Sequence, residues 1–373
     1  MKNIGIFAIT PAQIHFYKNI IRKLNDQGCN TFLLVRDYGE TLNLANELNL
    51  PYFIFSRPPD SKYGKILNLP KEILIACKYL RSKHIDLVTG FGIYESLTSA
   101  VLNVPAITFT DSEYSVNAIT YAIQFHISSL FTDTFITPAS FRQDLGKKQI
   151  RINSFKELAY LYPNYYSPDE SIFALLEINK GEPYILIRFN AFDAVHDFGV
   201  KGFSLEEKIE LVKTLEEHAH VFISSEGKIP GELERYRLKV PKSRIHDVLS
   251  FANLVITDTQ TMATESALLG TTTIRYNGFV GKNDMSNFIE LEQNYGLLFN
   301  MNDSREVLQK SLVFSKNKEL KNELKSKGEK LFREKINITD FMTWFLKNYP
   351  QSSDEIRKNP EMQYQYATAY VED

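Results

Sequence analysis

The stretch LVITDTQTMATESALLGTTTIRY, residues 254–276, decides how this chain folds. Three apolar residues, a polar turn, a short segment of helical spacing and a β-branched run read as strand, turn, helix and strand. That order places Gln260, Thr261 and Met262 at a helix N-terminus, where amides without an intrahelical partner attract anions. It also places Glu265 one turn further on. A carboxylate there repels an anion, so Glu265 is either a solvated helix residue or an acceptor for hydroxyl groups carried by the anionic molecule itself.

Outward from this stretch the same alternation recurs. Before it come apolar runs at 184–189 and 221–224, separated by the helical patterns SLEEKIELVKTLEEHA and RIHDVLSFA. The first half of the chain offers strands at 4–9, 31–35, 52–55, 85–88, 106–109 and 134–136, with helical segments between them and Gly28 ending the first. Strand and helix in alternation specify parallel sheets covered on both faces. The predicted architecture is two Rossmann-like, doubly wound α/β domains facing a cleft: 1–150, then a Pro- and Tyr-rich crossing segment 151–182, then 183–335. A helix at 336–350 follows, and the polar, proline-bearing stretch 351–373 reads as a mobile tail.

Composition removes several classes of function. The chain has 373 residues, 43% of them hydrophobic and 24% charged, with a net charge of −2. That is enough for two cores, and it supplies no global attraction for nucleic acid. Cys29 and Cys77 stand far apart without metal-ligand spacing, which favours a disulfide-free protein of the cytosol. The chain begins directly in a strand-like run without a signal peptide's regions, and no apolar stretch reaches the ~18 residues of a membrane span. In the segment KEILIACKYLRSK, Lys71, Lys78, Arg81 and Lys83 surround an apolar stripe. It either touches a membrane peripherally or covers a sheet.

In parallel α/β sheets ligands bind at the carboxyl ends of the strands. Here those ends carry TPAQIH, TGFGIYES and TDSEYS. His15 opens the helix after the first strand, where a histidine serves either in packing or in chemistry. Asp111 and Glu113 form either a solvated turn or, held in a cleft, a carboxylate pair whose pKa values separate to suit base chemistry. In RFNAFDAVHDFG, Arg188 pairs with Asp193 or Asp197, or clamps a phosphate, and His196 lies in the loop that follows.

The segment HDVLSFANLVITDTQTMATESALLGTTTIR resembles the donor-binding region of GT-B-fold glycosyltransferases and of the related UDP-N-acetylglucosamine 2-epimerases. Residues 1–348 are similar to an uncharacterised prokaryotic family of this fold, with a first loop like TPAQIHFYK and a fifth-strand loop like ITFTDSEYS. The resemblance implies a metal-independent enzyme without a cofactor that takes a nucleotide-sugar, a UDP-sugar, and a glycan or lipid-linked acceptor. It implies that Thr261, Met262 and the amides around Gln260 hold the diphosphate and Glu265 the ribose diol. Arg188, Ser224, Thr259 and Thr264 complete the nucleotide set, and His15, Asp111, Glu113 and His196 are the catalytic candidates. Two features depart from the pattern: Asp258-Thr259-Gln260 stands where a glycine pair is usual, and the first loop has no glycine-rich run. A 2-epimerase, using Glu113 and His196, is the alternative. Against it, TGFGIYES lacks a carboxylate directly after the fourth strand. A non-catalytic binding module is the third reading.

Overall fold

The computed structural model describes residues 1–57, 64–113, 119–189, 203–225, 228–278, 280–281 and 284–367. They form two compact units, Met1–Tyr165 with Lys335–Asp373, and Tyr166–Glu334. In the first, strands β1 (Asn3–Ala8), β2 (Asn30–Arg36), β3 (Tyr52–Ser56), β4 (Leu87–Gly90), β5 (Ala106–Phe109), β6 (Thr134–Pro138) and β7 (Gln149–Ile152) make one parallel sheet ordered β3-β2-β1-β4-β5-β6-β7. The second has β8 (Tyr184–Phe189), β9 (His220–Ser225), β10 (Leu254–Thr257), β11 (Thr273–Tyr276) and β12 (Phe299–Met301), parallel and ordered β12-β11-β10-β8-β9. The doubly wound α/β expectation therefore holds in each unit.

Residue alternation explains why both faces are covered. Along β8, Ile185, Ile187 and Phe189 enter one core cluster with Leu211, Val212 and Ile223. Tyr184 and Leu186 enter another with Val248, Leu249 and Met262. A strand whose successive side chains meet apolar neighbours above and below must lie inside the sheet. The first helix, Pro11–Asp26, starts at Thr10, whose hydroxyl accepts the Gln13 amide at 3.4 Å, and Pro11 occupies a position that needs no donor. The chain leaves it through Gly28 at φ +82.

Three expectations from sequence change, and one left open is decided. β7 and β12 are strands that the sequence patterns did not give. Residues up to Tyr165 belong to the first unit, because Leu158–Leu161 packs on helix Pro11–Asp26. Residues 351–366 are ordered: Gln351–Lys358 is a helix that buries Ser352, Ser353 and Ile356, and a 3₁₀ segment, Pro360–Tyr366, follows. In helix Gly64–Arg81 the stripe Ile73, Ala76, Cys77 and Leu80 is buried with Phe7, Leu34 and Val88, so it covers the sheet and is not free for a membrane. Leu74 remains 63% exposed. Among the described residues no helix is long and apolar enough to cross a membrane. Both cysteines are buried and free.

Helix Gln260–Leu268 ends against helix Lys318–Glu334. Gly270 takes φ +72, and a Cβ there would lie 2.7 Å from Lys325 Cα, so only a residue without a side chain fits against the crossing helix. Gly270→Ala combines left-handed strain with a backbone collision. We expect a loss of about 1–3 kcal/mol in urea denaturation. A variant as stable as the parent would mean that helix Lys318–Glu334 yields freely at this crossing.

Candidate functional site

Strand pairing assembles the second unit's candidates. Arg188 pairs in register with Ser224 on one side and with Thr257 on the other, at the carboxyl ends of β8, β9 and β10. The Arg188 guanidinium donates to Ser224 Oγ at 2.8 Å. Beyond β10, the Thr259 amide donates to Thr257 Oγ1 at 3.0 Å, and the two hydroxyls lie 2.8 Å apart. Thr259 is the N-cap of helix Gln260–Leu268, yet with its hydroxyl turned to Thr257 it supplies no side-chain cap. The helix start thus sits beside Arg188 and Ser224 without a capping hydroxyl from Thr259, a surrounding that favours an anion. Backbone contacts hold the turn: the Asp258 amide donates to Arg188 O at 3.3 Å, and Asn277 Nδ2 donates to Asp258 O, also at 3.3 Å.

Not every residue of the expected nucleotide set keeps its side chain for a ligand. Met262 is buried in the core with Val248 and Val255, which leaves only its amide. Thr264 is buried, and its hydroxyl donates back to Gln260 O at 3.4 Å. Thr261 is half-buried. Glu265 answers the question its position raised: at 5% exposure it is no solvated residue, and its Oε1 lies 3.0 Å from Nε2 of His246, itself 3% exposed. Nothing in the local pattern RIHDVLSFA marks that histidine as a partner for a residue 19 positions away.

In the first unit the carboxylates of TDSEYS do not act as a free pair. Asp111 is bound to Lys156, and Lys156 also meets Glu157 at 3.1 Å. Burial pulls the pKa of Lys156 down, but the charges and hydrogen bonds of Asp111 and Glu157 together outweigh it and push it up. Glu113 accepts from the Arg142 amide at 2.8 Å and from its guanidinium at 3.0 Å. Each carboxylate therefore has its own cation, which corrects the expectation of two carboxylates perturbing one another. His15 is buried, with its ring 5.1 Å from that of Tyr160. One segment, 156–160, thus touches both Asp111 and His15. His196, Asp193 and Asp197 lie outside the described residues.

Sequence reading also passed over Glu95. Helix Ile93–Leu102 begins after Gly92, and the Glu95 carboxylate reaches back to accept the Gly92 amide, the reciprocal half of a capping box. Thr108 Oγ1 on β5 donates to it at 3.0 Å. A Cβ on Gly90 would collide with this carboxylate. A carboxyl group therefore does stand beside the end of β4, delivered from five residues further along, although no carboxylate follows the strand directly. Phe91, between the glycines, packs on Phe16 and Phe109 and holds the loop in place. Among the described residues no three His, Cys, Asp or Glu side chains gather where a metal ion could be held.

Two parallel-sheet units with candidate groups at their strand ends define the GT-B fold, and solved structures agree. A Methanocaldococcus jannaschii UDP-GlcNAc 2-epimerase in complex with UDP-GlcNAc and UDP is 14% identical, with a TM-score of 0.62 over 92% of this chain and 100% of that one. MurG of Acinetobacter baumannii is 16% identical, with a TM-score of 0.53 over 96% and 100%. The spinosyn rhamnosyltransferase SpnG, complexed with spinosyn aglycone, is 10% identical, with a TM-score of 0.59 over 93% and 100%. At such identities the likeness is one of fold. The chain belongs to the family described as Protein of unknown function (DUF354), whose family model matches residues 4–337. No curated protein sequence matches it.

Burial pushes the Glu95 carboxyl from its ordinary 4.5 up to about 8, against the lowering pull of backbone hydrogen bonds and of Thr108. Between those values the folded chain holds a proton that the unfolded chain has released. The stability this group lends is full below the lower value and is lost as the pH rises through the upper one. Relative to Glu95→Gln, which cannot titrate, the parent should lose stability steadily from about pH 5 to about pH 8 and then level off. Urea midpoints of both proteins across that range check this, and parallel curves would mean that folding leaves the carboxyl unperturbed.

Proposed function

We propose that this chain binds a UDP-sugar and acts as a glycosyltransferase-like enzyme of glycan or cell-envelope polysaccharide synthesis, with the second unit taking the nucleotide. One observation carries the reading: Arg188, Ser224 and the start of helix Gln260–Leu268 converge at one sheet edge, with Glu265 one turn beyond Thr261 on the same helical face. In this reading the amides of Gln260, Thr261 and Met262 and the Arg188 guanidinium meet the diphosphate and stabilise it as a leaving group, the task that other nucleotide-sugar enzymes give to a metal. Glu265 accepts from the ribose 2′- and 3′-hydroxyls. The acceptor, a glycan or a lipid-linked sugar, loses its proton to His15 or to Asp111.

A second reading, a UDP-sugar 2-epimerase, is favoured by the Glu95 carboxyl at the end of β4. Product analysis separates the two. Interconversion of a UDP-sugar with its C2 epimer in the absence of any acceptor would support the epimerase and remove the transferase. UDP release that depends on an added glycan acceptor would do the reverse.

Replacing Glu265 by Gln should weaken UDP binding by about 1.5–3 kcal/mol, the scale of a hydrogen bond to a charged group, and weaken 2′,3′-dideoxy-UDP much less. Calorimetry on the two ligands decides, because equal losses would take Glu265 off the ribose.

A further inference from the structure

Helix Ile245–Phe251 carries two adjacent side chains that act in opposite directions. Asp247 faces the start of the second unit: it accepts from the Tyr166 hydroxyl at 3.0 Å and the Asp169 amide at 3.1 Å, and Arg244 closes an ion pair on it. Tyr166 also meets Ser250 Oγ at 2.8 Å and sets its ring edge-on to His246, with centroids 6.0 Å apart. His246 faces helix Gln260–Leu268 and puts Nε2 on Glu265 Oε1. The ring is therefore backed by an aromatic edge and by a helix that Asp247 and Ser250 tie to Tyr166 and Asp169 at three points.

Consider what a buried carboxylate needs if it is to receive a sugar diol. Both ribose hydroxyls donate, so the carboxylate must be ionised and its plane must be held at one angle. A glutamate side chain has three torsions and, left to itself, loses that angle among rotamers. We propose that His246 is the positioning residue for the nucleotide ribose: through Nε2 it fixes the rotamer of Glu265 and so sets the carboxylate plane for a vicinal diol. This rests on the assignment of Glu265 to the ribose made above. It adds that recognition of the 2′,3′-diol belongs to a His–Glu unit, so that a ligand without the diol loses what the unit provides.

The test measures dissociation constants by calorimetry for UDP and 2′,3′-dideoxy-UDP, and takes their ratio as the readout. The parent should prefer UDP by about tenfold or more. His246→Leu, which keeps bulk but cannot donate, should bring the ratio near one. His246→Gln, whose amide can reach the same oxygen, should restore most of it. Adding His246→Leu to Glu265→Gln should cost no further preference, since both changes remove one unit. A His246→Leu protein that folds, binds UDP and keeps the parent's ratio while Glu265→Gln loses it would overturn the positioning role and leave the ribose assignment standing. A parent that binds both ligands equally would overturn the ribose assignment and this inference with it. Should His246→Leu fail to fold, His246→Gln still decides: a folded Gln variant without any preference contradicts a role exercised through one donated hydrogen bond.

Discussion

In-register pairing of β8 with β9 on one side and β10 on the other is the constraint from which the second unit's candidate site follows. Arg188, Ser224 and Thr257 are separated by 36 and 69 positions in sequence, yet the ladder sets them side by side at the sheet's carboxyl edge. A slip of one residue would turn Arg188 to the opposite face and carry Ile187 out of its core cluster. The apolar alternation that keeps Ile185, Ile187 and Phe189 on one face is thus what keeps the guanidinium beside the Ser224 hydroxyl. Parallel strands demand crossover helices, and the crossover after β10 must start at this edge. The helix start and the arginine meet because of topology before any ligand selects them.

Charge in the first unit is arranged under a different constraint. Asp111, Glu113 and Glu157 are all buried, and ionised carboxylates leave water at a cost that a partner must offset. Lys156 serves two of them and Arg142 the third. Glu95 has no such cation among the groups that set its ionisation. It is held by the Gly92 amide and by Thr108, and burial keeps its proton on up to about pH 8. Burial without a cation thus makes Glu95 a carboxyl on this sheet edge whose protonation responds near pH 8, whichever reaction the site performs.

Legibility in the sequence followed the range of the physics involved. Helical spacing between Thr261 and Glu265 is a local property, and so is the strand before them, so both were readable from residues 254–276. Arg188 was readable because it ends an apolar run. What escaped depends on contacts distant in sequence or on reversals of direction. His246 meets Glu265 only because two helices pack, and no pattern in either helix records the partner. Glu95 escaped because a carboxylate expected directly after a strand was sought in the loop, while capping geometry returns it from the helix. β12 has only three residues, too few for alternation to show. The tail's polarity concealed a helix whose buried side hangs on Ile356 and two serines.

The choice of a histidine beside Glu265 carries its own argument. Lysine brings three donors to a carboxylate and arginine five in a planar fork, and either would fill the acceptor sites that a diol requires. Nε2 brings one. Either cation would also add a fixed positive charge one turn from an anion-favouring helix start, and so compete for the phosphate that the proposed reading gives to Arg188 and the amides of Gln260 to Met262. Under the proposal a single imidazole donor orients the glutamate and keeps the division of labour along the helix, with anion at its first turn and hydroxyl donors at its second. The small residues Ala263 and Ala267, fully buried on the neighbouring positions, let that helix lie close to its surroundings. The carboxylate is recessed beside the histidine, at 5% exposure, which in the proposed reading favours a group that reaches in with two donors.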